Sequence, residues 1–317
     1  MSEGVALLGR SEELAQLARL AERPVVITGL PGMGRRSLRA AVSAEVRVGP
    51  APLEGSDEVM LRVGPLSLNA GIELLRARLT DTGADDELRA LVARVDGIPM
   101  ALELCAKLIA SRGATKSAKL LARESLLDLT AHDPRAVRWR RELDEARLAL
   151  PVEVQRLLSD LALFRGSFDE LAAGALDHHI GGLQLLVEHG WVVSEGSLRI
   201  YECIRRYLES AAPAIPESRE RYERWVFEEG ADPKRRGGVE ADLRGLFVTG
   251  PDATARRAGA LLVPLVLDQG PLDPHLQRLV ELDRKLADRD LETQCAIAQL
   301  HLVLGEPEPA WRRLEAI

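Results

Sequence analysis

Hydrophobic residues near the start of the chain occur as one short, continuous run. Residues 25–28 (VVIT) are apolar and mostly β-branched, which is typical of a strand buried in a parallel sheet. A glycine-rich turn at 29–34 (GLPGMG) follows at once, and the Ala- and Arg-rich residues 35–45 predict a helix. Residues 46–53 and 58–63 each have room for one further short strand. The order of strand, glycine turn and helix predicts a small α/β core.

From Ser67 onward the spacing of apolar residues is helical, with apolar positions recurring every three or four residues. Residues 166–212 break this pattern. There, two short helices precede two strand-like runs around Glu195-Gly196, a hairpin pattern. Helix, helix and hairpin is the order of a winged-helix fold. Beyond Pro213 the pattern is helical again, and the spacing of its Gly- and Pro-containing turns predicts helix pairs stacked as a solenoid.

Composition narrows the class of protein. The chain has 317 residues, a net charge of −7 and 3 % aromatic residues, which argues against a nucleic-acid stacking surface. It contains no apolar run near the roughly 20 residues that span a bilayer, and no secretory leader is recognisable. Cys105, Cys203 and Cys295 lie far apart without zinc-ligand spacing. We therefore predict a cytoplasmic protein without a metal site.

The glycine turn can be aligned with the phosphate-binding pattern G-x-x-x-x-G-K-[ST]. Arg35 takes the place of the lysine and keeps its charge, but Arg36 replaces the hydroxyl that would hold Mg²⁺. Ser37 lies one position after the place of that hydroxyl, and on a helix one position turns a side chain by about 100° around the axis. Two interpretations remain open, a loop that binds a nucleotide and a relic that only turns a strand into a helix. The candidate ligand-binding residues in this loop are Gly29, Gly32, Gly34, Arg35, Arg36 and Ser37.

The acidic residue that holds the metal in phosphoryl-transfer enzymes of this fold is also missing from the pattern. Between Leu38 and Leu66, no acidic residue follows a run of four apolar residues. Fewer than 30 residues separate the two helical regions, which is too short for two complete βα units. We therefore predict that the chain is not an enzyme and has no catalytic residues.

Several motifs resemble, in order and spacing, the STAND class of signal-transduction ATPases (the NB-ARC/AP-ATPase group and bacterial AfsR/LuxR-type regulators). The resemblance covers nearly the whole chain. It implies an adenine-nucleotide switch with ATP or ADP as cofactor. By its position in the motif, Pro99 would contact the nucleotide. The alternative is that Pro99 only starts a helix. The motifs are Leu8–Leu14 (LGRSEEL), Val25–Gly34, Leu61–Ser67, Asp96–Leu104 (DGIPMALEL), Leu161–Phe168 (LALFRGSF) and Leu198–Tyr207.

The predicted fold class is therefore mainly α with a small α/β P-loop remnant. Four segments follow one another along the chain. They are a truncated P-loop NTPase-like core at 1–63, a helical lid at 64–125, a winged helix at 126–212 and a TPR-like helical repeat segment at 213–317.

The predicted function is that of a non-catalytic regulatory or scaffold protein of the STAND type. It would act in signal transduction through protein partners bound by the C-terminal repeats, with self-association as a further possibility. An alternative is an ATP- or ADP-binding switch with weak or no hydrolysis. A second alternative, a transcription regulator that uses the winged helix, is disfavoured because no Lys or Arg lies between Arg165 and Arg199, whereas DNA phosphates require positive charge.

Overall fold

The computed structural model describes a mostly helical protein with a small parallel sheet. Contacts between Cα atoms divide it into two compact units. The first comprises Met1–Ala162 with His179–Ala214, and the second Leu163–His178 with Ile215–Ile317. The described residues are 7–20, 22–42, 46–51, 53, 55–79, 84–176, 181–194, 196–286, 288 and 290–315.

A three-stranded parallel sheet lies in the first unit. Strand β1 (Val25–Thr28) is central, between β2 (Val46–Val48) and β3 (Val59–Arg62). Val25 is in register with Val46 on one side and Val59 on the other. All four residues of β1 are buried, which explains why the run VVIT lacks alternation. The three predicted strands are confirmed.

The helix after the glycine turn is shorter than predicted. Helix α2 (Arg35–Ala40) ends five residues before the expected Glu45, and residues 43–45 lie outside the described residues. Gly34 immediately precedes α2 with a φ of +85°, in the left-handed region that glycine adopts without strain. The short connection lets the chain reach β2, which begins at Val46.

Helices form most of the rest of the first unit. Helix α11 packs against α9, where Gly182 lies close to Val154 and Leu157. The helices are α1 (Ser11–Arg19), α3 (Leu68–Arg78), α4 (Asp85–Arg94), α5 (Pro99–Arg112), α6 (Ala114–Leu121), α7 (Leu126–Leu129), α8 (Pro134–Leu148), α9 (Val152–Leu161), α11 (Gly181–Glu188) and α12 (Glu202–Ala211).

The predicted hairpin is present between α11 and α12. Strands β4 (Val193–Ser194) and β5 (Leu198–Arg199) pair antiparallel, with Val193 opposite Arg199. Helix α10 (Glu170–Ala175), which precedes α11 in the chain, belongs to the second unit. The assignment of these elements to one winged-helix domain, like the four-segment division, stays a prediction.

The second unit is mostly helical in its described residues. Its C-terminal part has a core of seven buried apolar residues, among them Val263, Leu279 and Ile297. No helix within the described ranges is both long and apolar enough to cross a membrane. The remaining helices are α13 (Pro216–Ala231), α14 (Glu240–Thr249), α15 (Asp252–Gln269), α16 (Leu272–Lys285), α17 (Leu291–Val303) and α18 (Pro307–Leu314).

Candidate functional site

The glycine turn opens onto a cleft of about 200 Å³ in the first unit. Its lining combines basic and polar residues with apolar ones, among them Leu8, Leu66 and Leu74. Six of the seven residues predicted from the sequence line it: Gly32, Gly34, Arg35, Arg36, Ser37 and Pro99.

Gly29, the seventh predicted residue, lies outside the set that lines the cleft. Its φ is +125°, and a Cβ atom there would lie 2.4 Å from the carbonyl oxygen of Val63. A side chain would therefore collide with the backbone that follows β3. Gly29 allows β1 to end in close contact with its neighbouring strand.

The backbone of the turn is held by hydrogen bonds to three consecutive carbonyl groups. The Nε1–H of Trp139, on α8, donates to the carbonyl of Pro31 at 2.9 Å. The backbone N–H of Met100 donates to Gly32 at 3.1 Å, and Arg10 donates to Met33 at 2.8 Å. These contacts come from three separate parts of the chain. The shape of the loop is therefore determined by packing within the unit.

Arg10 is the most deeply buried cation at this site, with a relative exposure of 3 %. Besides Met33, its guanidinium donates to the carbonyl of Gly64 at 2.7 Å, and it forms an ion pair with Glu13 at 2.5 Å. A buried guanidinium is stable only when such partners satisfy it. Arg10 thus joins the glycine turn to the segment that follows β3.

Arg35 is half-buried in the cleft. Burial lowers the pKa of its guanidinium, the charge of Glu142 raises it and that of Arg36 lowers it further. Among the described residues, none forms a hydrogen bond or close ion pair with Arg35. A partly desolvated, unpaired guanidinium beside a cleft favours an anionic ligand.

Arg36 occupies the position of the metal-binding hydroxyl but points its charge toward α8. Its Nη1 lies 2.5 Å from Oε1 of Glu142, while 65 % of its side chain remains exposed. Glu142 also accepts from Arg138 at 2.9 Å. Burial raises the pKa of Glu142, but the hydrogen bonds from the two arginines outweigh it and hold that pKa below its usual value. The carboxylate of Glu142 is therefore ionised and lies in the cleft beside its arginines.

The second carboxylate of the cleft is also engaged. Glu103 accepts from Arg78 at 3.0 Å and from Arg135 at 2.6 Å. The residues directly after β1, β2 and β3 are Gly29, Gly49 and Val63, so no carboxylate stands at these strand ends. Within the part of the chain that the structure describes, no group of three or more His, Cys, Asp or Glu side chains could hold a metal ion.

Pro99 lines the cleft close to the N-terminus of α2. It is the first residue of α5, and its Cγ lies 4.0 Å from the position that a Cβ of Gly34 would take. Gly97 has a φ of +65° and leaves room for the carbonyl of Leu66, which brings Pro99 toward the loop. Pro99 thus starts a helix and lines the cleft at once.

Several residues of this site were not among the candidates, and Arg10, Trp139 and Glu142 are the ones that contact the loop through their side chains. Arg10 belongs to the LGRSEEL motif, but only the resemblance drew attention to it. Trp139 and Glu142 lie more than 100 positions from the loop residues they contact. Neither spacing nor composition reveals a contact of that separation.

No family model and no curated protein sequence matches the chain. Among solved structures, it is similar to a signal-transduction ATPase with numerous domains (STAND) from Pyrococcus horikoshii that has a tetratricopeptide repeat sensor. The two share 15 % sequence identity with a TM-score of 0.44, over 97 % of this chain and 58 % of that one. The chain therefore spans less than two thirds of the length of that protein.

Proposed function

We propose that this chain is a non-catalytic regulatory protein of the STAND type. It binds the phosphate groups of ATP or ADP in the cleft without hydrolysing them, and acts on other proteins through its C-terminal helices. The observation that carries the nucleotide proposal is the half-buried Arg35, which has no hydrogen-bonded or ion-paired partner among the described residues and lines the cleft with the glycine turn.

The two kinds of residue that line the cleft suit the two chemical parts of a nucleotide. Arg35 and Ser37 offer donors to phosphate oxygens, and the apolar residues offer a surface to a base. The volume of about 200 Å³ lies below the roughly 300 Å³ at which ligand pockets usually begin. We therefore expect a bound nucleotide to remain partly in solvent.

Three features argue against hydrolysis. The metal-binding hydroxyl is replaced by Arg36, and both cleft carboxylates, Glu103 and Glu142, are held by arginines. A carboxylate in two ion pairs is a poor ligand for Mg²⁺ and a poor base for water. We therefore propose that the site binds nucleotide without hydrolysing it, since its described residues do not supply the groups that phosphoryl transfer requires.

A thermal-shift titration with ATP and with ADP, each with and without Mg²⁺, tests the proposal. At a nucleotide concentration of about ten times Kd, binding to the folded state contributes about 1.4 kcal/mol and raises Tm. We expect this rise to be lost in Arg35→Ala. Arg39→Ala, a change of the same type at an exposed position on α2, is the matched control and should keep it.

Two outcomes would overturn the proposal. A rise in Tm that is the same in Arg35→Ala and wild type would place the nucleotide elsewhere. Mg²⁺-dependent release of phosphate that disappears in Arg35→Ala would show that the cleft is catalytic.

Exposed apolar side chains support the role of the C-terminal helices in protein contacts. Leu302 and Val303 on α17 and Trp311 on α18 are each at least half exposed. Such residues are favourable anchors in protein interfaces. The repeat-like stacking of these helices, a winged helix, self-association and a transcriptional role remain predictions.

A further inference from the structure

Three C-terminal helices of the second unit line a cavity of about 410 Å³ that is open to solvent. This volume lies within the range of about 300–1,000 Å³ that is usual for ligand sites. Helix α16 contributes Val280 and Arg284, which are four positions apart and share a face. Helices α17 and α18 complete the lining, and α18 supplies Arg312 and Arg313. The cavity is therefore rich in arginine.

Arg313 is fixed in place by a buried polar network. Its Nη1 donates to Asp283 at 2.5 Å and to Gln294 at 3.0 Å. Gln294 in turn donates to Asp283 at 2.8 Å, and both of these residues are at least nine-tenths buried. The two other nitrogens of Arg313 have no partner among the described residues. An oriented guanidinium with free donors is prepared to bind an anion.

Arg284 and Arg312 add positive charge at the rim. Arg284 is exposed, and no described residue pairs with it. Arg312 forms only an exposed pair with Glu308 at 3.2 Å, which is a weak contact. Among the described residues that line the cavity, none is acidic.

We propose that this cavity binds an acidic segment of another protein. A Glu or Asp carboxylate would meet Arg313 and Arg284, since the planar guanidinium binds a carboxylate through two parallel hydrogen bonds. Val280 and Pro309 provide apolar wall for a neighbouring side chain. The chain as a whole carries a charge of −7. A long polyanion such as a nucleic acid would therefore be repelled by the negative charge of the chain outside the cavity. A short acidic segment would contact only the arginines of the cavity.

The inference rests on the proposed role of the C-terminal helices in binding proteins, but not on nucleotide binding. The two can be tested in the same sample, because peptide binding and the ATP-dependent rise in Tm are separate measurements. Loss of one with retention of the other identifies which proposal fails.

Fluorescence anisotropy with the full chain provides the test. The probe is a labelled, N-acetylated peptide of alternating Glu and Leu, and its control has Gln in place of each Glu. We expect the Glu peptide to bind about tenfold more tightly than the Gln peptide, as hydrogen bonds to charged groups imply. Raising the salt concentration from about 0.05 to 0.5 M should weaken binding of the Glu peptide.

Variants localise the site. Arg284→Ala combined with Arg312→Ala changes two exposed residues and should leave the fold intact while lowering affinity about tenfold or more. Arg313→Lys keeps the charge above Asp283 but loses the planar donor pair, and should also weaken binding. Arg224→Ala, an exposed change on α13 in the same unit, is the control and should bind normally.

Several results would overturn the proposal. These are equal binding of the Glu and Gln peptides, no binding of either, or unchanged affinity in the double variant. Displacement of the Glu peptide by inorganic phosphate or by a single-stranded DNA oligonucleotide, at a concentration equal to that of the peptide, would assign the cavity to a phosphate ligand instead.

Discussion

The carboxylate of Asp96 accepts a hydrogen bond from the backbone N–H of Cys203, 3.4 Å away. Cys203 is the second residue of α12, so Asp96 caps that helix from a distant part of the chain. Arg199, on β5, lies 3.5 Å from the same carboxylate. Since Asp96 is three positions before Pro99, this cap connects the segment that lines the cleft with the hairpin and α12.

The stability of the chain should depend on the protonation of Asp96. Burial is the largest effect on this carboxyl and raises its pKa to about 6. The charge of Glu202 also raises the pKa, whereas the hydrogen bond from Cys203 and the charge of Arg199 lower it. Because the pKa in the folded state lies above that in the unfolded chain, the protonated group stabilises the fold below about pH 4, and this contribution is lost as the pH rises through about 6.

Asp96→Asn should remove this pH dependence of stability, and it places a residue at position 96 that can keep the same backbone conformation. Asp96 has a φ of +54°, and Asn, like Asp, can adopt the left-handed region as a single residue. We expect the free energy of unfolding of wild type, relative to the variant, to rise by up to about 3 kcal/mol between pH 7 and pH 4. Urea unfolding at several pH values measures it. Asp86→Asn, at an exposed position on α4, is the control, and a flat difference for Asp96→Asn would contradict the prediction.

The sheet could be predicted because its pattern is local. A continuous apolar run such as VVIT indicates a strand that is buried on both faces, and its neighbours in sequence became its neighbours in the sheet. The end of α2 could not be predicted in this way. The Ala- and Arg-rich sequence continues past Ala40, and the early end reflects the short distance to β2.

The site was only partly predictable, for a related reason. The glycine and arginine residues of the loop form a recognisable motif, and six of the seven candidates line one cleft. The groups that fix the loop are different. Trp139 and Glu142 lie on α8, whose sequence shows only an amphipathic helix. Their roles arise from tertiary packing, on which a linear pattern gives no information.

Two glycines of the loop should differ in their tolerance of a side chain. Both have positive φ, so Ala costs about 1–2 kcal/mol at either position. A Cβ on Gly32 would also lie 2.6 Å from Nε1 of Trp139, whereas the nearest atom to a Cβ on Gly34 is 4.0 Å away. We expect Gly32→Ala to lower the free energy of unfolding by about 1–3 kcal/mol more than Gly34→Ala. Equal losses in urea unfolding would show that Trp139 yields without cost.

Arg10 should contribute strongly to stability. Arg10→Met keeps the length of the side chain but removes the donors to Met33 and Gly64 and leaves Glu13 without its partner. We expect a loss of about 3–5 kcal/mol in the free energy of unfolding, the cost of breaking a buried ion pair. Arg19→Met, at an exposed position on α1, the helix that follows Arg10, should change it by less than about 0.5 kcal/mol. Similar values for the two variants would contradict the role assigned to Arg10.

Glu142 should weaken the binding of nucleotide phosphate. Its carboxylate lies 2.5 Å from Arg36, and its charge reaches Arg35, so it offsets the positive charge of the cleft. Glu142→Gln removes that charge while keeping the shape of the side chain. An incoming phosphate would then meet two cations without a competing anion, and we expect the affinity for ATP to rise about fivefold, or about 1 kcal/mol.

Affinity has to be measured by calorimetric titration at low salt, because Tm responds to a second effect. The same change weakens the contacts of Glu142 with Arg36 and Arg138, which lowers stability slightly even if the affinity for ATP increases. Glu145→Gln, at an exposed position on the same helix and 3.6 Å from Arg141, should leave ATP affinity unchanged. An affinity that stays constant or falls in Glu142→Gln would mean that phosphate does not approach the arginines of this cleft.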